Sequence, residues 1–389
     1  MFPSLTIVGA STRAAAFSAL AAGWQPHCAD LFADVDLQAR APVTRVANYP
    51  RGLPLVVEQM PEGPWMYTGA LENHPEVVER IAGGRRLLGN PAAVLREVRD
   101  PLLVAQRLRG RGLGVPAVTA AEAGLPRDGS WLRKRRRGSG GGHVVPWDHH
   151  VAAQGGDQAE VYYQQRVEGA PHAAVFLASS SQCELWGVTR QLIGAPWTSG
   201  AAYRYCGSVG PVSTSAHLTT SLRSIGQAIV DHFGLRGIFG VDVVLAGDHA
   251  WLIEINPRYP ASAEILERAT GTSAVGLHVA ACGQQKLELT PYPGNRVCGK
   301  AIVFAAQATT ASPTLCAWVD DENRRHPGYR FADLPGDGTP FPAQAPVLTV
   351  FADAANESLV VEQLRHRVEA VQNRLTPCLL EDSAPGTHR

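Results

Sequence analysis

The chain has 389 residues, 45% hydrophobic and 18% charged, against a usual charged share of about 25%. It is therefore able to bury a substantial core and is not broadly disordered. At roughly 150 residues per domain it holds two or three domains. Lys plus Arg equals Asp plus Glu at 35 each, so no global field draws it to nucleic acid or to an anionic membrane, and any basic site is local.

No apolar run approaches the ~18 residues of a membrane span, and no cationic stretch precedes the apolar residues of 1–10, so the cytoplasm is the expected compartment. Seven cysteines (28, 183, 206, 282, 298, 316, 378) are odd in number and form no CxxC, which fits reduced thiols better than disulfides or a zinc site. Of 35 basic residues only Lys134, Lys286 and Lys300 are lysines. A site that needs a compact ammonium resists replacement by arginine's planar fork, which singles out Lys134 among the arginines around it.

In chain order, Leu5 to Val8 reads as a strand, Gly9-Ala10-Ser11 as a turn, Thr12 to Ala22 as a helix and His27 to Leu31 as a second strand, opening a parallel sheet. A dinucleotide fingerprint needs glycines where Ser11 and Ala14 stand, so NAD is not expected. Short helices follow near 77–82, 91–99 and 101–109, then a break at Gly110 to Gly114 and a strand after Pro116. Apolar residues at 218, 222, 225, 229 and 233 have helical period, with Gly234 as the cap. Ile238 to Leu245 and Trp251 to Asn256 flank Gly247-Asp248 and predict an antiparallel hairpin. Beyond Pro291 the chain turns to Pro- and Gly-punctuated strands near 300–305 and 347–351. It closes with a helix carrying apolar positions 360, 364, 368, 371 and 375, and a polar tail from Glu381.

Three segments could carry chemistry. Glu254 and Asn256 share one face of their strand, and Asp242 comes opposite Glu254 if the hairpin loop holds three residues. Two close carboxylates on a mainly apolar hairpin repel unless a cation sits between them, and Mg²⁺ suits two carboxylates, the Asn256 carbonyl oxygen and phosphate oxygens. Arg258, on the same face if the strand runs past Pro257, then points at a phosphoryl group; the bland alternative is a solvated strand face. In the second segment, a strand from Trp131 through Lys134 enters Gly138-Ser139-Gly140-Gly141-Gly142, whose backbone N–H groups suit phosphate oxygens. It is not a P-loop, because the lysine precedes the glycines. A flexible linker and an RNA-binding patch on Arg133 to Arg137 are the alternatives. The third, 159–169, is a strand running into a turn, able to present backbone groups to a planar base.

Together and in this order, these segments resemble the ATP-grasp superfamily: Lys134 before the glycine-rich lid (Gly138 to Gly142), the hinge Gln164-Gln165-Arg166-Val167-Glu168-Gly169, and Gly240-Val241-Asp242 with Glu254-Ile255-Asn256-Pro257-Arg258. The Asn-Pro-Arg ending looks like the carbamoyl-phosphate synthetase, biotin carboxylase and purine-carboxylase side of the family. The resemblance implies an α/β fold class with an α+β lid. A Rossmann-like domain (1–95) precedes the ATP-grasp domain (96–290, lid about 115–168), and a small β-rich C-terminal domain with its closing helix follows (291–389). It implies ATP held by Lys134, Gly138, Ser139, Gly140, Gly141, Gln165, Val167 and Glu168. It further implies two Mg²⁺ ions, replaceable by Mn²⁺, at Asp242, Glu254 and Asn256, with Arg258 and Lys134 acting on the moving phosphoryl group. Tyr203, Tyr205 and Ser208 are candidates for substrate contact.

Two departures stand out. The lid's usual Lys-Pro is Lys134-Arg135, and the carboxylate that holds the ribose has no counterpart near Pro171-His172, which leaves Glu168 for that role. The expectation is an ADP-forming ligase that activates a carboxylate as an acyl phosphate and joins it to an amine, such as the amino acid glutamate, in cofactor biosynthesis. Its partners are small molecules; neither membrane nor nucleic acid is expected, and a homodimer is allowed. A bicarbonate-activating carboxylase is the enzymatic rival; no biotin-attachment Met-Lys-Met occurs.

Overall fold

A computed structural model describes residues 3–150, 160–179, 182–285, 287, 289, 292, 294 and 296–377. Cys378, the tail from Glu381 and Lys286 lie outside the described residues. The N-terminal part is a parallel sheet in the order Val43–Arg45, Gln25–Asp30, Ser4–Gly9, Trp65–Tyr67, with the helix Arg13–Ala21 after the first strand. This is the opening the sequence predicts. Crossover connections demand helices between parallel strands, and the Ala-rich stretch supplies one.

The centre of the molecule is an eight-stranded antiparallel sheet. Its order is His249–Asn256, Gly237–Ala246, Ala170–Ala178, Cys183–Ile193, Tyr205–Gly210, Val297–Phe304, Pro346–Ala354, Phe331–Ala332. The strand Ala170–Ala178 is buried along almost its whole length, and alternation sends its side chains to two cores. Ala174, Phe176 and Ala178 pack with the helix Ala216–Phe233. Val175 and Leu177 pack with Leu5, Ile7, Ala15, Leu266 and Val275, which fixes the N-terminal part against the opposite face. Strand Tyr205–Gly210 pairs with Val297–Phe304, so one sheet runs on into the C-terminal region.

The helix Ala216–Phe233 buries Leu218, Leu222, Ile225, Ile229 and Phe233, is N-capped by Ser215 and ends at Gly234 with φ 66°, as the periodicity predicts. The helix Pro313–Arg325 was not visible in the sequence. It buries only Leu315 and Val319, too sparse an apolar set to show a period. The closing helix Glu357–Gln372 buries Val360, Leu364, Val368 and Val371. No helix among the described residues is long and apolar enough to cross a membrane.

A separate sheet of four antiparallel strands, ordered Val118–Thr119, Val161–Gln165, Asp128–Arg135, Val145–Asp148, occupies the segment where the sequence resemblance implies a lid, and is called the lid below.

Helix and sheet meet closely at Gly226, where an added Cβ would lie 2.5 Å from the Phe176 ring and 3.0 Å from Cys183 Sγ. Gly226→Ala gains helix propensity of about 0.5–1 kcal/mol, but overpacking typically costs about 1–3 kcal/mol. The expected outcome is net destabilisation in urea unfolding, opposite in sign to what helix propensity alone gives.

Candidate active site

The hairpin Gly237–Ala246/His249–Asn256 places Asp242 directly opposite Glu254. The sequence reading put a third residue in the loop to reach that register. The structure keeps two loop residues, 247 and 248, and inserts the extra residue as a bulge at Ile253: Val243 pairs with Leu252, and the next rung is Asp242 with Glu254. Without the bulge Asp242 would face Ile253, and the two acids would project from opposite faces. The freed carbonyl of Ile253 accepts from Gln164 Nε2 at 3.3 Å, so the lid strand holds the bulge.

Burial and the Glu254 charge push the Asp242 carboxyl up from 3.8 to about 6, against the pull of Arg258 and of hydrogen bonds from Asn256 and Gln191; Gln191 Nε2 donates to Asp242 Oδ1 at 2.9 Å. Glu254 is also desolvated, but the Arg99 and Lys134 charges outweigh that and hold its carboxyl below the usual range. The rung therefore divides one proton unequally, with Glu254 the readier to ionise.

Three cations gather round it, each anchored elsewhere. Arg99 Nη1 donates to Glu254 Oε1 and, at 3.1 Å, to the Ile255 carbonyl; its Nη2 reaches Asn73 Oδ1 at 3.1 Å and the Gly138 carbonyl at 2.9 Å. Lys134 is 7% exposed, and its Nζ donates to Gln164 Oε1 at 2.8 Å. Strand alternation turns it into the cleft. The strand ends at Asn256, so Arg258 is not carried there by a continuing strand as the sequence reading supposed. It returns through its side chain, with Nη2 3.0 Å from Asn256 Oδ1 and 3.1 Å from Glu72 Oε1. Glu72 is 1% exposed.

The glycine-rich lid docks over the same place. Gly141 has φ 77°, and a Cβ there would fall 2.0 Å from the Tyr203 carbonyl oxygen; the Gly140 carbonyl accepts from Tyr205 N at 3.1 Å. Lys134, Gly138, Ser139, Gly140, Gly141, Gln165, Val167, Tyr203, Tyr205, Asp242, Glu254, Asn256 and Arg258 line one cleft of about 420 Å³. Glu168 is exposed and not among the lining residues. Ser208 is fully buried and lines no cavity described; its hydroxyl lies 2.7 Å from that of Tyr205, so it reaches a substrate only through that tyrosine. Of the basic run 133–137, Lys134, Arg135 and Arg136 line the cleft, and Arg136 pairs with Asp100 at 3.2 Å.

A second cavity of about 930 Å³ shares Ser139, Gly140, Tyr205, Arg258 and Ala261 with the cleft. Its walls come from all three parts of the chain and include Arg13, Asp34, Glu264, Lys300 and Asp333. Arg13 Nε lies 2.9 Å from Asp333 Oδ1, its Nη1 donates to Glu264, and Lys300 Nζ lies 2.9 Å from Glu264 Oε2. Burial, with Asp333 close by, pushes Asp34 up to about 9. Arg99, Glu72, Asn73, Gln191, Arg13 and Glu264 escaped the sequence reading. They come from segments with no glycine or spacing signature, and only the folded chain brings them to the site.

Residues 98–262 match the family described as ATP-grasp domain. The large chain of carbamoyl phosphate synthase from Thermoplasma volcanium is 24% identical over 234 residues, 56% of this chain and 22% of that protein. The chain thus spans about a fifth of that curated relative's length. An N5-carboxyaminoimidazole ribonucleotide synthetase in an ADP complex superposes with a TM-score of 0.71 at 14% identity, covering 96% of this chain and 99% of that one. An L-amino acid ligase from Bacillus licheniformis gives 0.68 at 15%, covering 96% and 98%. The biotin carboxylase domain of Hydrogenobacter thermophilus 2-oxoglutarate carboxylase, with MgADP, ADP and bicarbonate, gives 0.70 at 11%, covering 95% and 90%. The match to the ATP-grasp domain model thus covers the middle of the chain, and the fold of these structures is shared along nearly its whole length.

An acid whose pKa rises on folding gives up stability as it ionises: the contribution is full below the unfolded value of 3.8 and lost as pH climbs through about 6. Asp242→Asn should flatten the fall in stability between those pH values by ~1–3 kcal/mol, read from urea unfolding of both proteins across a pH series.

Proposed function

We propose that the chain is an ATP-dependent, ADP-forming ligase that activates a carboxylate as an acyl phosphate and joins it to an amine. The observation that carries this reading is the rung of Asp242 and Glu254, with Asn256, Lys134 and Arg258, in one cleft that opens into a second, larger cavity. The donor set fits magnesium. Among the described residues no three His, Cys, Asp or Glu side chains gather as a metal cage. Two carboxylates and an amide oxygen are the partial set that Mg²⁺ takes when phosphates and water fill its other positions. Bound there, Mg²⁺ (or Mn²⁺) supplies charge neutralisation at the nucleotide's phosphate oxygens; two ions are the number this reading assigns.

The protein's own groups do the rest. Lys134 and Arg258 stabilise charge on the transferring phosphoryl group, and the backbone of 138–141 cradles the phosphates. In this reading Gln165 and Val167, which line the cleft, present the hinge to the base, while Glu168, exposed and outside that lining, is not given the ribose. The substrate carboxylate oxygen attacks the γ-phosphorus and ADP leaves. The amine nitrogen then attacks the acyl carbon, phosphate leaves, and the amine gives up a proton. The docked lid excludes water from the acyl phosphate.

The larger cavity presents both signs of charge, Arg13, Lys300 and Arg258 against Glu264 and Asp333, which suits a zwitterionic amino acid such as glutamate as one of the two reactants; Tyr205 lines both cavities and Tyr203 the cleft, and the acid is a cofactor precursor in this reading. The carboxylase alternative draws on fold likeness to bicarbonate-using neighbours. ADP release that needs bicarbonate and no amine would put it first. A homodimer, the state named for the biotin carboxylase neighbour, and a cytoplasmic setting complete the proposal.

Thermal unfolding tests it. Mg²⁺ with ATP should stabilise the protein, by about 2.7 kcal/mol at a hundredfold excess over the dissociation constant, and Glu254→Gln should fold, lose that gain and abolish phosphate release with carboxylate and amine supplied. Normal turnover in the variant removes the metal assignment. Salt-sensitive RNA retention with no nucleotide effect in either protein would replace the ligase by an RNA-binding protein.

A further inference from the structure

Behind the larger cavity, on the C-terminal side, three arginines from three separate elements converge on a pocket of about 290 Å³. Arg268 comes from the last turn of the helix Ala263–Thr270, Arg330 from the segment before the short strand Phe331–Ala332, and Arg367 from the closing helix. Each is fixed by contacts that leave its guanidinium at the pocket. Arg268 donates to the carbonyls of Gly328 at 2.8 Å and Tyr329 at 3.2 Å, and lies over the rings of Tyr329 and Phe351, 4.7 and 4.3 Å from their centres. Arg367 donates to the Phe351 carbonyl and, at 3.3 Å, to Gln363 Oε1. Arg330 reaches Glu322 Oε2 at 3.2 Å.

The carboxylates nearby do not balance this charge. Among the described residues Asp353 is the only acid in the pocket wall, and it is shared with Arg296 at 3.2 Å. Glu322 is divided among Arg325, His326 and Arg330. Burial first, and then the Arg330 and Arg268 charges, drag the Arg367 guanidinium down to about 10, against the opposite pull of Asp353 and Glu322. Stacked, hydrogen-bonded arginines are held in one geometry and lose little entropy on meeting an anion. A carboxylate, planar with two oxygens, satisfies one such fork. A phosphoryl group offers oxygens in three directions.

We propose that this pocket is a binding site for a phosphate-bearing small molecule, distinct from the nucleotide cleft. Its size lies at the lower end of small-molecule sites, about 300 Å³, so the ligand is a small phosphate monoester rather than a nucleotide. The site shares a wall with the larger cavity: Phe351 touches both Arg268 and, at 5.9 Å from its ring centre, Arg13, and the helix bearing Arg268 also bears Glu264.

The test uses the full chain saturated with Mg²⁺ and a nonhydrolysable ATP analogue, so that phosphate finds the nucleotide cleft filled through the γ-phosphate position. Inorganic phosphate and glycerol 3-phosphate are titrated against sodium chloride at matched ionic strength, with melting temperature and calorimetry as readouts. Saturable binding beyond the chloride effect is expected, weakened at least tenfold in Arg330→Gln and in Arg367→Gln and kept in Lys300→Gln. Arg330 is partly exposed and anchors no backbone carbonyl, so its variant keeps the test decisive if Arg367→Gln folds poorly. Phosphate no better than chloride, unchanged titrations in Arg330→Gln, or loss of binding in Lys300→Gln alone would each overturn the assignment.

Discussion

Two carboxylates on one rung of an antiparallel hairpin are the constraint round which the molecule is arranged. Asp242 and Glu254 face each other because Ile253 bulges, and their mutual repulsion in partly desolvated surroundings has to be met by positive charge. The fold meets it from three directions. Arg99 arrives from just past the N-terminal domain, Lys134 from the lid and Arg258 from the chain after the hairpin. Arg99 and Arg258 each bind further acceptors in the N-terminal part, Asn73 and Glu72, so the electrostatic need of one rung ties distant parts of the chain together. Arg99 is the clearest case: a single guanidinium joins the hairpin at Glu254, the lid at Gly138 and the N-terminal part at Asn73.

The two cavities follow from the same geometry. The glycine-rich segment closes over the cleft only because Gly141 leaves room for the Tyr203 carbonyl, and the tyrosine two residues on lines both cavities. Charge is mixed in the larger cavity, where Glu264 holds Arg13 and Lys300 together, while in the cleft cations surround two acids. That difference is chemical: an excess of cations over acids favours phosphate oxygens, whereas charges of both signs favour a zwitterion, and the proposed division of substrates between the two cavities rests on it.

What the sequence shows and what it hides divide along physical lines. Local signals read correctly: the period of the helix Ala216–Phe233, the turn at Gly247-Asp248 and the opening parallel strands are each set by residues within a few positions of one another. The acid rung was legible in outcome though not in cause, since a loop of three and a loop of two with a bulge yield the same register, and only Gln164 across the lid selects the second. The scarcity of lysine was informative twice over. Lys134 and Lys300 are both 7% exposed, one in each cavity wall, at places where a point charge on a slim stem fits and a guanidinium does not.

Arg99, Glu72 and Arg13 are hidden for the opposite reason. Arginine and glutamate are common surface residues, and nothing in a window around 99 distinguishes a guanidinium that ends in the protein's centre from one that ends in water. Their importance lies in long-range pairing, Arg13 with Glu264 and Asp333, Arg258 with Glu72, across separations of 186 residues or more. The same holds for the three arginines of the C-terminal pocket, each in a different element. A site assembled from one residue per element leaves no spacing to read, whereas the acid rung, the hinge and the lid place several functional groups on one short segment. Sites of the first kind are set by the tertiary fold alone.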